Sequence, residues 1–549
     1  MNATPAILLS LICFSVLGQA PQLAERPRNW HLLDIQEDGV RGAGVEKTYR
    51  LLLKDKKPTK KVIVAIIDSG VDTLHPDLKS IVWENKKEIA GNGKDDDRNG
   101  YPDDVRGWNF VGNTQAGTFE VVREYIRLRK EFEGERDSTL LTKKKGYAYW
   151  KKIKDGKDKF YAEYTEMTTR FSNRIADYRE ILEYYKNTTG KDTVDYQLLV
   201  EYPVPDTATA TLRANYQESL ELFAQPDLAG VSLNERLSLF ENLSSTLGPT
   251  LAVADTLIAK NDVTYYSARE NITAPEVNSG RNYGNNNILP KDDHGTACAG
   301  IVAAGRNNGV GMDGVANHVQ IMPVRIFISA NEDEIDKDVA HAIEYAVDNG
   351  AKVINMSFGK FFSPQKNLVD KAVAYAETKG VLIVSAAGNE STNVDSLHFF
   401  PTAHYLSGKR ASNLINVGAT ASDSGLVAYY SNYGKNNVDI FAPGSDIYTT
   451  ARDTTYLTES GTSFAAPVVS GIAALIWSYY PSLTYKQVKS CIESSATPLA
   501  VTVKKPGTEQ LVPFSSLSRT GGVVDAFKAV EFAQKIVRKG GTADISNPK

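Results

Sequence analysis

Cysteine is nearly absent from this 549-residue chain, which carries only Cys13, Cys298 and Cys491. So few cannot build a disulfide framework, and the fold must rest on a packed core. An excess of charge of one sign is missing too: Lys+Arg 62 against Asp+Glu 66 gives a formal net charge of -4. That leaves no footprint for nucleic acid and no polybasic face for a membrane. Beyond the first twenty residues no uninterrupted apolar run reaches the ~18 residues needed to span a bilayer. Tandem repeats and long low-complexity tracts are lacking as well. What is there, 42% hydrophobic and 23% charged residues, is the composition of a soluble globular protein. The length predicts two to four units, or one large domain with an insertion.

Residues 6–18 form an apolar run too short for a membrane span, followed by the small residues Gly18 and Ala20. This is the layout of a secretory signal and its cleavage site. No Lys or Arg precedes the run, and Pro21 suits a cut at Ala20 poorly, so cleavage after Gly18 is the alternative. A buried N-terminal helix is the other reading of the run. Removing residues 1–20 predicts an exported protein, periplasmic or extracellular, with no membrane attachment. It retains Cys298 and Cys491, expected as free buried thiols rather than as one disulfide. Residues 21–60 then form an N-terminal extension.

From residue 61 short β-branched runs alternate with helical patterns. Val62–Ile67 reads as a strand buried on both faces. Val319–Ile328, Val353–Met356, Val381–Val384, Ile415–Val417 and Val438–Phe441 read similarly. Helical stretches lie between several of them, such as Asp336–Asn349 and Leu368–Lys379, with Gly350 and Gly380 placed to end them. The alternation predicts an α/β domain around a mainly parallel sheet, with functional residues at the carboxyl ends of its strands. This domain is expected in two parts, 61–115 and 273–535, before a tail at 536–549.

Residues 116–272 break that rhythm and predict an all-helical insertion. Tyr164, Met167, Phe171, Ile175, Tyr178, Leu182 and Tyr185 are spaced by three or four and make one stripe. Core packing is the better reading of it, a partner-facing surface the other. Helical patterns also cover 118–134, 206–224 and 232–260, punctuated by Pro203, Pro205, Pro226 and Pro249.

Four distant segments carry candidate chemistry. Asp68, after the first buried strand and before Ser69-Gly70, is placed to orient an imidazole, although many α/β proteins use Asp there for binding or capping. His294 precedes a run of small residues, Gly295 to Ala304, that lets a helix pack closely on a sheet; its alternative is a helix cap. Asn389 follows Gly388 at another strand end, either in a left-handed turn or aiming its amide at a developing oxyanion. Ser463 lies at the mouth of a helix whose early turns hold Ala465, Ala466 and Pro467, a proline tolerated only near a helix start. A hydroxyl there has free N–H groups and the positive helix end beside it; an N-cap serine is the alternative.

In the order Asp, His, Asn, Ser these segments resemble the subtilisin-like serine peptidases, the subtilase family, whose triad order is the handed-down Asp…His…Ser. Gly461-Thr462-Ser463-x-Ala465-x-Pro467 is present in full. Asp68-Ser69-Gly70-Val71-Asp72 continues into His75-Pro76-Asp77-Leu78, Gly388-Asn389 matches the oxyanion segment, and Ile354-Asn355-Met356-Ser357 the substrate strand. The likeness covers about 61–112 and 284–533. It implies a three-layer subtilisin-like domain in which Ser463 attacks the scissile carbonyl and His294 moves the proton. Asp68 would hold the imidazole, and Asn389 with the Ser463 N–H the oxyanion. Ser357, Phe358 and Gly359 would pair with an extended protein or peptide substrate, and Phe358 with Ala386, Ala387 and Gly388 implies an apolar specificity pocket. No cofactor is required for catalysis, and the oligomeric state stays open.

The departures from the family are informative. Ala297 replaces a second histidine outside the triad. Cys298, one helical turn from His294, implies sensitivity to mercurials without being a nucleophile. Lys360-Phe361-Phe362 replaces a glycine-rich continuation of the substrate strand. The extension at 21–60 is shorter than the family's usual pro-region. The insertion could gate the cleft, recruit substrate or decorate the surface. A non-hydrolytic scaffold and an acyl transfer to an amine remain as rival functions.

Asp95, Asp97 and Asn99 reproduce the first side-chain positions of a calcium loop, with Gly100 for the turn and a carbonyl from Tyr101. Arg106 stands at the twelfth position, so this is no EF-hand, and Asp103 or Asp104 has to close the shell. Hard oxygen ligands favour calcium over zinc; a solvated acidic turn is the alternative. Structural calcium is common in the family, and Asp77 resembles a second familial ligand without a matching site around Asn307-Asn308.

Overall fold

The computed structural model describes residues 27–114, 117–134, 138–223, 232–260, 283–329, 332–421 and 426–540. The export signal expected at 1–20 therefore lies outside the described residues. The chain divides into two compact units, one built mainly from Arg28–Glu124 and Asp262–Lys549, the other from Tyr125–Asn261.

Among the described residues the first unit has thirteen strands. They are β1 (Val62–Asp68), β2 (Trp108–Asn109), β3 (Val319–Arg325), β4 (Val353–Met356), β5 (Leu382–Ala386), β6 (Leu414–Thr420) and β7 (Ile440–Pro443). Then follow β8 (Ile447–Thr450), β9 (Tyr456–Glu459), β10 (Thr497–Pro498), β11 (Thr502–Lys504), β12 (Leu511–Pro513) and β13 (Gly522–Val523). Nine make the main sheet in the order β10-β13-β7-β6-β5-β4-β1-β3-β2. All neighbours are parallel except β10 and β13. The five runs expected after Val62–Ile67 correspond to β3 to β7, except that β3 stops at Arg325 and 326–328 leave the sheet.

Both faces of the sheet are covered, which is why its strands read as continuous apolar runs. On one face Ala65, Ile67, Ile354, Met356 and Ile383 share a core with Val339 and Ile343 of the helix Asp336–Asp348 and Val373 of the helix Lys366–Thr378. Gly350 and Gly380 follow those two helices with φ of 84° and 72°, the left-handed turn that stops them. The opposite face takes the helices His294–Ala303 and Thr462–Tyr479. Among the described residues Thr462–Tyr479 is the one helix long and apolar enough to cross a membrane, and it is buried inside the protein.

The second unit contains Ser138–Lys143, the 43-residue helix Tyr147–Thr189, Tyr196–Glu201, Ala210–Phe223 and Leu233–Lys260. The stripe turns inward: Tyr164, Met167, Phe171, Tyr178 and Tyr185 are all buried. Phe240 packs edge-on to Phe171 at 5.2 Å between centroids and lies 5.7 Å from Tyr178. Pro249 lies inside Leu233–Lys260 and does not end it.

In the first unit, the charge of Lys360 is fully buried just beyond β4. Its Nζ donates to Glu120 Oε2 at 2.7 Å and to the Glu334 carbonyl at 2.7 Å, and lies 2.9 Å from Asp336 Oδ1. Arg123 joins Glu120 at 2.6 Å. Burial opposes ionisation of Glu120, but the two cations beside it hold its carboxyl down at about 2. Removing one member of such a set leaves uncompensated buried charge. Lys360→Met is expected to cost about 3–5 kcal/mol in urea unfolding. A loss under about 1 kcal/mol, the range of exposed pairs, would show that the carboxylates reach water.

Candidate active site

Asp68 is the last residue of β1, which lies between β3 and β4 in the sheet. The chain turns there through Gly70, and the helix His294–Ala303 starts against the turn. A Cβ on Gly295 would meet the Gly70 carbonyl at 2.1 Å and Asp68 Cβ at 3.1 Å, so only glycine permits this approach. The contact brings His294 Nδ1 to 2.8 Å from Asp68 Oδ1, which also accepts the Ser69 N–H at 2.8 Å. Asp292 and Ser69 brace the pair. The Ser69 hydroxyl donates to Asp292 Oδ1 at 2.5 Å, and the His294 N–H to the same oxygen at 3.2 Å.

Ser463 is the second residue of the helix Thr462–Tyr479. Pro467, four residues on, has no N–H, so the Ser463 carbonyl loses its helical partner. It accepts instead from the Ser357 hydroxyl at 2.7 Å and from the Cys298 thiol at 3.4 Å. Ser470 Oγ holds Asn355 Oδ1 at 2.9 Å, and Asn355 Nδ2 holds Ser357 Oγ at 2.9 Å. This buried chain ties the serine helix to β4 and the segment after it. Ser463 Oγ itself donates to the Ser357 carbonyl at 2.9 Å. The His294 ring lies 5.6 Å from that of Phe464, the residue after the serine.

Asn389 follows β5. Its Oδ1 accepts both the N–H of Thr462 at 2.8 Å and the Thr462 hydroxyl at 2.9 Å. The amide is thereby oriented, with Nδ2 as the remaining donor. The Ser463 N–H, in the first helical turn, has no intrahelical acceptor. The four segments far apart in sequence therefore meet at the carboxyl ends of the parallel strands. Ser357, Phe358 and Gly359 continue past the end of β4 at Met356. Phe358 leans on Phe327 at 5.2 Å. Ala387 and Gly388 continue past β5, with the Gly388 N–H donating to Thr462 Oγ1 at 3.0 Å.

Burial works against a charged imidazole, but the Asp68 carboxylate more than offsets it, and the His294 pKa is pushed up to about 9. Burial and the nearby Asp68 charge push the Cys298 thiol well above its usual range. Cys298 and Cys491 are both free and buried, so they form no disulfide.

In the acidic loop the structure brings Glu88 to Asp95 and Asp97, with ligand oxygens within 4.8 Å of one another. Glu88 lies outside the loop motif and went unnoticed in the sequence. Asp104 does not close this shell. It is buried and accepts from Asn85 at 2.8 Å, Asn99 at 3.1 Å and the Tyr345 hydroxyl at 2.7 Å. Asp103 caps the N–H groups of Gly91, Asn92 and Gly93. Asn99 Oδ1 accepts the Tyr101 N–H at 2.8 Å, and the Tyr101 ring packs inward, 5.1 Å from Trp108. Three converging carboxylates are a donor set suited to a hard divalent cation.

A buried carboxylate, an imidazole and a serine at a helix start are the parts of a serine hydrolase site. The model of the subtilase family, peptidase S8, matches residues 246–517. Thermitase from Thermoactinomyces vulgaris is 34% identical over 287 residues, 52% of this chain and 89% of that protein. The thermophilic serine proteinase of Bacillus sp. (strain AK1) is 38% identical over 229 residues, 41% of this chain and 53% of its own length. A subtilisin from Bacillus sp. (strain TA39) is 31% identical over 318 residues, covering 54% and 72%. The chain belongs to the subtilase family, the subtilisin-type serine endopeptidases.

The Asp68–His294 pair has a direct signature. With its folded pKa above the unfolded 6.5, His294 contributes stability that is present below pH 6.5 and lost as pH rises through about 9. NMR titration of the His294 ring is expected to show a midpoint near 9 that falls by more than about one unit in Asp68→Asn. A midpoint below 7 in the intact chain would contradict the pairing.

Proposed function

We propose that the chain hydrolyses peptide bonds in proteins or peptides through an acyl-enzyme on Ser463. The observation that carries this reading is the 2.8 Å contact of His294 with buried Asp68, beside a serine in the first turn of a helix. The reading requires the Ser463 hydroxyl, which donates to the Ser357 carbonyl in the structure, to turn about its Cα–Cβ bond toward His294 Nε2. In its neutral form, which gains population as pH rises toward about 9, the imidazole takes the proton as Oγ attacks the scissile carbonyl, then gives it to the leaving amine. Asp68 keeps the Nδ1–H tautomer and stabilises the imidazolium. Asn389 Nδ2 and the Ser463 N–H receive the oxyanion, donors typically worth ~10²–10³ in kcat each. An extended substrate adds alongside Ser357–Gly359 as a further strand. Cys298 is no nucleophile, since its buried thiol resists ionisation.

A fluorophosphonate tests this reading. Ser463 is expected to become labelled, with loss of proteolysis, while Ser463→Ala takes no label. Labelling elsewhere, or none, contradicts it.

Export is part of the proposal. It is supported by the apolar run at 6–18 with its small-residue flank, and by likeness to a protein named cell wall-associated protease from Bacillus subtilis (strain 168), 34% identical over 271 residues.

We further propose that Glu88, Asp95 and Asp97 hold a structural calcium ion with no part in the chemistry. Calcium at a hundredfold excess over its Kd is expected to stabilise the fold by about 2.7 kcal/mol, an effect lost in Asp95→Asn. Identical melting with calcium and with chelator would contradict it.

A further inference from the structure

The two wall segments of the cleft, Ser357–Gly359 and Ala386–Gly388, are not separated by an open slot. One atom, Phe399 Cε1, stands against both. A Cβ built on Gly359 would meet it at 2.2 Å, and a Cβ on Gly388 would meet it at 2.8 Å. The ring therefore stands where a side chain on either glycine would begin; at Gly388 such a side chain would also meet Asn432 Nδ2 at 2.3 Å and Glu390 Oε2 at 2.6 Å, and at Gly359 the Phe400 carbonyl at 2.7 Å.

The ring is held there from several sides. Phe361 packs edge-on at 5.2 Å between centroids. The next residue, Phe400, exchanges two backbone hydrogen bonds with Lys360, at 2.9 and 2.8 Å. Lys360 is itself fixed by Glu120 and Asp336. The backbone on either side of Gly359 and the stretch carrying Phe399 are thus one braced assembly. Phe399 is 9% exposed.

Two glycines facing each other across a cleft usually leave room for a long side chain. Here that room is filled by a side chain of the protein itself. We propose that Phe399 plugs the specificity slot between Gly359 and Gly388. The protein would then cleave after residues with small side chains, glycine, alanine or serine, and reject aromatic and long aliphatic ones. The apolar specificity pocket expected from Phe358 and the Ala386–Gly388 wall would on this reading be occupied by the Phe399 ring. The inference rests on the acyl-enzyme reading given above for Ser463.

The test compares peptide p-nitroanilides identical except for alanine or phenylalanine before the scissile bond, with fluorophosphonate labelling of Ser463 run in parallel. Intact protein is expected to favour alanine over phenylalanine in kcat/KM by at least about tenfold, the scale on which apolar pockets discriminate. In Phe399→Ala the phenylalanine-to-alanine ratio is expected to rise by at least about tenfold, and Phe399→Leu to fall between. Labelled intact protein that cleaves after phenylalanine as well as alanine, or that cuts after no small residue, overturns the plug and leaves the hydrolase reading standing. So does an unchanged ratio in a Phe399→Ala protein that still labels. Absence of labelling in the intact protein overturns the hydrolase reading instead. Should Phe399→Ala fail to fold, the intact protein's own preference decides.

Discussion

The site depends on a carboxylate that is buried at the end of an interior strand and is hydrogen-bonded through one of its oxygens. Asp68 is 1% exposed, and its Oδ1 is taken by His294 and the Ser69 amide. Its Oδ2 is buried with no hydrogen-bond partner among the described residues. A buried carboxylate is costly unless paired, and the pairing cation here is the imidazolium. The same interaction that makes the ion tolerable therefore fixes the ring's orientation and raises its pKa. Everything around it serves that contact: the glycine that lets the helix close in, the Asp292–Ser69 brace, and the interior position of β1.

A second constraint comes from a missing donor. Pro467 cannot bond back to the Ser463 carbonyl, and Ser357 and Cys298 occupy the freed acceptor. The serine helix is thereby locked to the segment after β4. Thr462 meanwhile holds Asn389 by its carbonyl oxygen and leaves its NH₂ group for other work. Ser463, Asn389 and the segment after β4 are thus linked through neighbouring residues of one helix turn.

Much of this was legible before any coordinates. Buried parallel strands are apolar on both faces, so β1 and β3 to β7 stood out as runs. The small residues after His294 and the proline after Ser463 made sense only for a close-packed helix and a helix start. The insertion's stripe betrayed a core, because Tyr164 to Tyr185 repeat at the helical period. What stayed hidden depends on chain returns that carry no local pattern. The strands β10 and β13 at one end of the sheet are two residues each. Glu88 joins the acidic loop from outside its motif, while Asp104 turns to Tyr345 instead. Lys360, noted in the sequence only as part of the segment replacing a glycine-rich continuation, is buried among carboxylates brought from two other segments. Phe399 reads as an ordinary aromatic, and its place between Gly359 and Gly388 follows from a loop that no periodicity describes.

The central claim is that an acyl group passes through the oxygen of Ser463 and not through the neighbouring sulfur of Cys298. Acid-quenched rapid mixing with an activated ester, read by mass spectrometry of the digested protein, examines it directly. The account predicts a burst of one equivalent of leaving group with the acyl mass on the peptide containing Ser463. An acyl group on Cys298, or turnover with no covalent species, would contradict it.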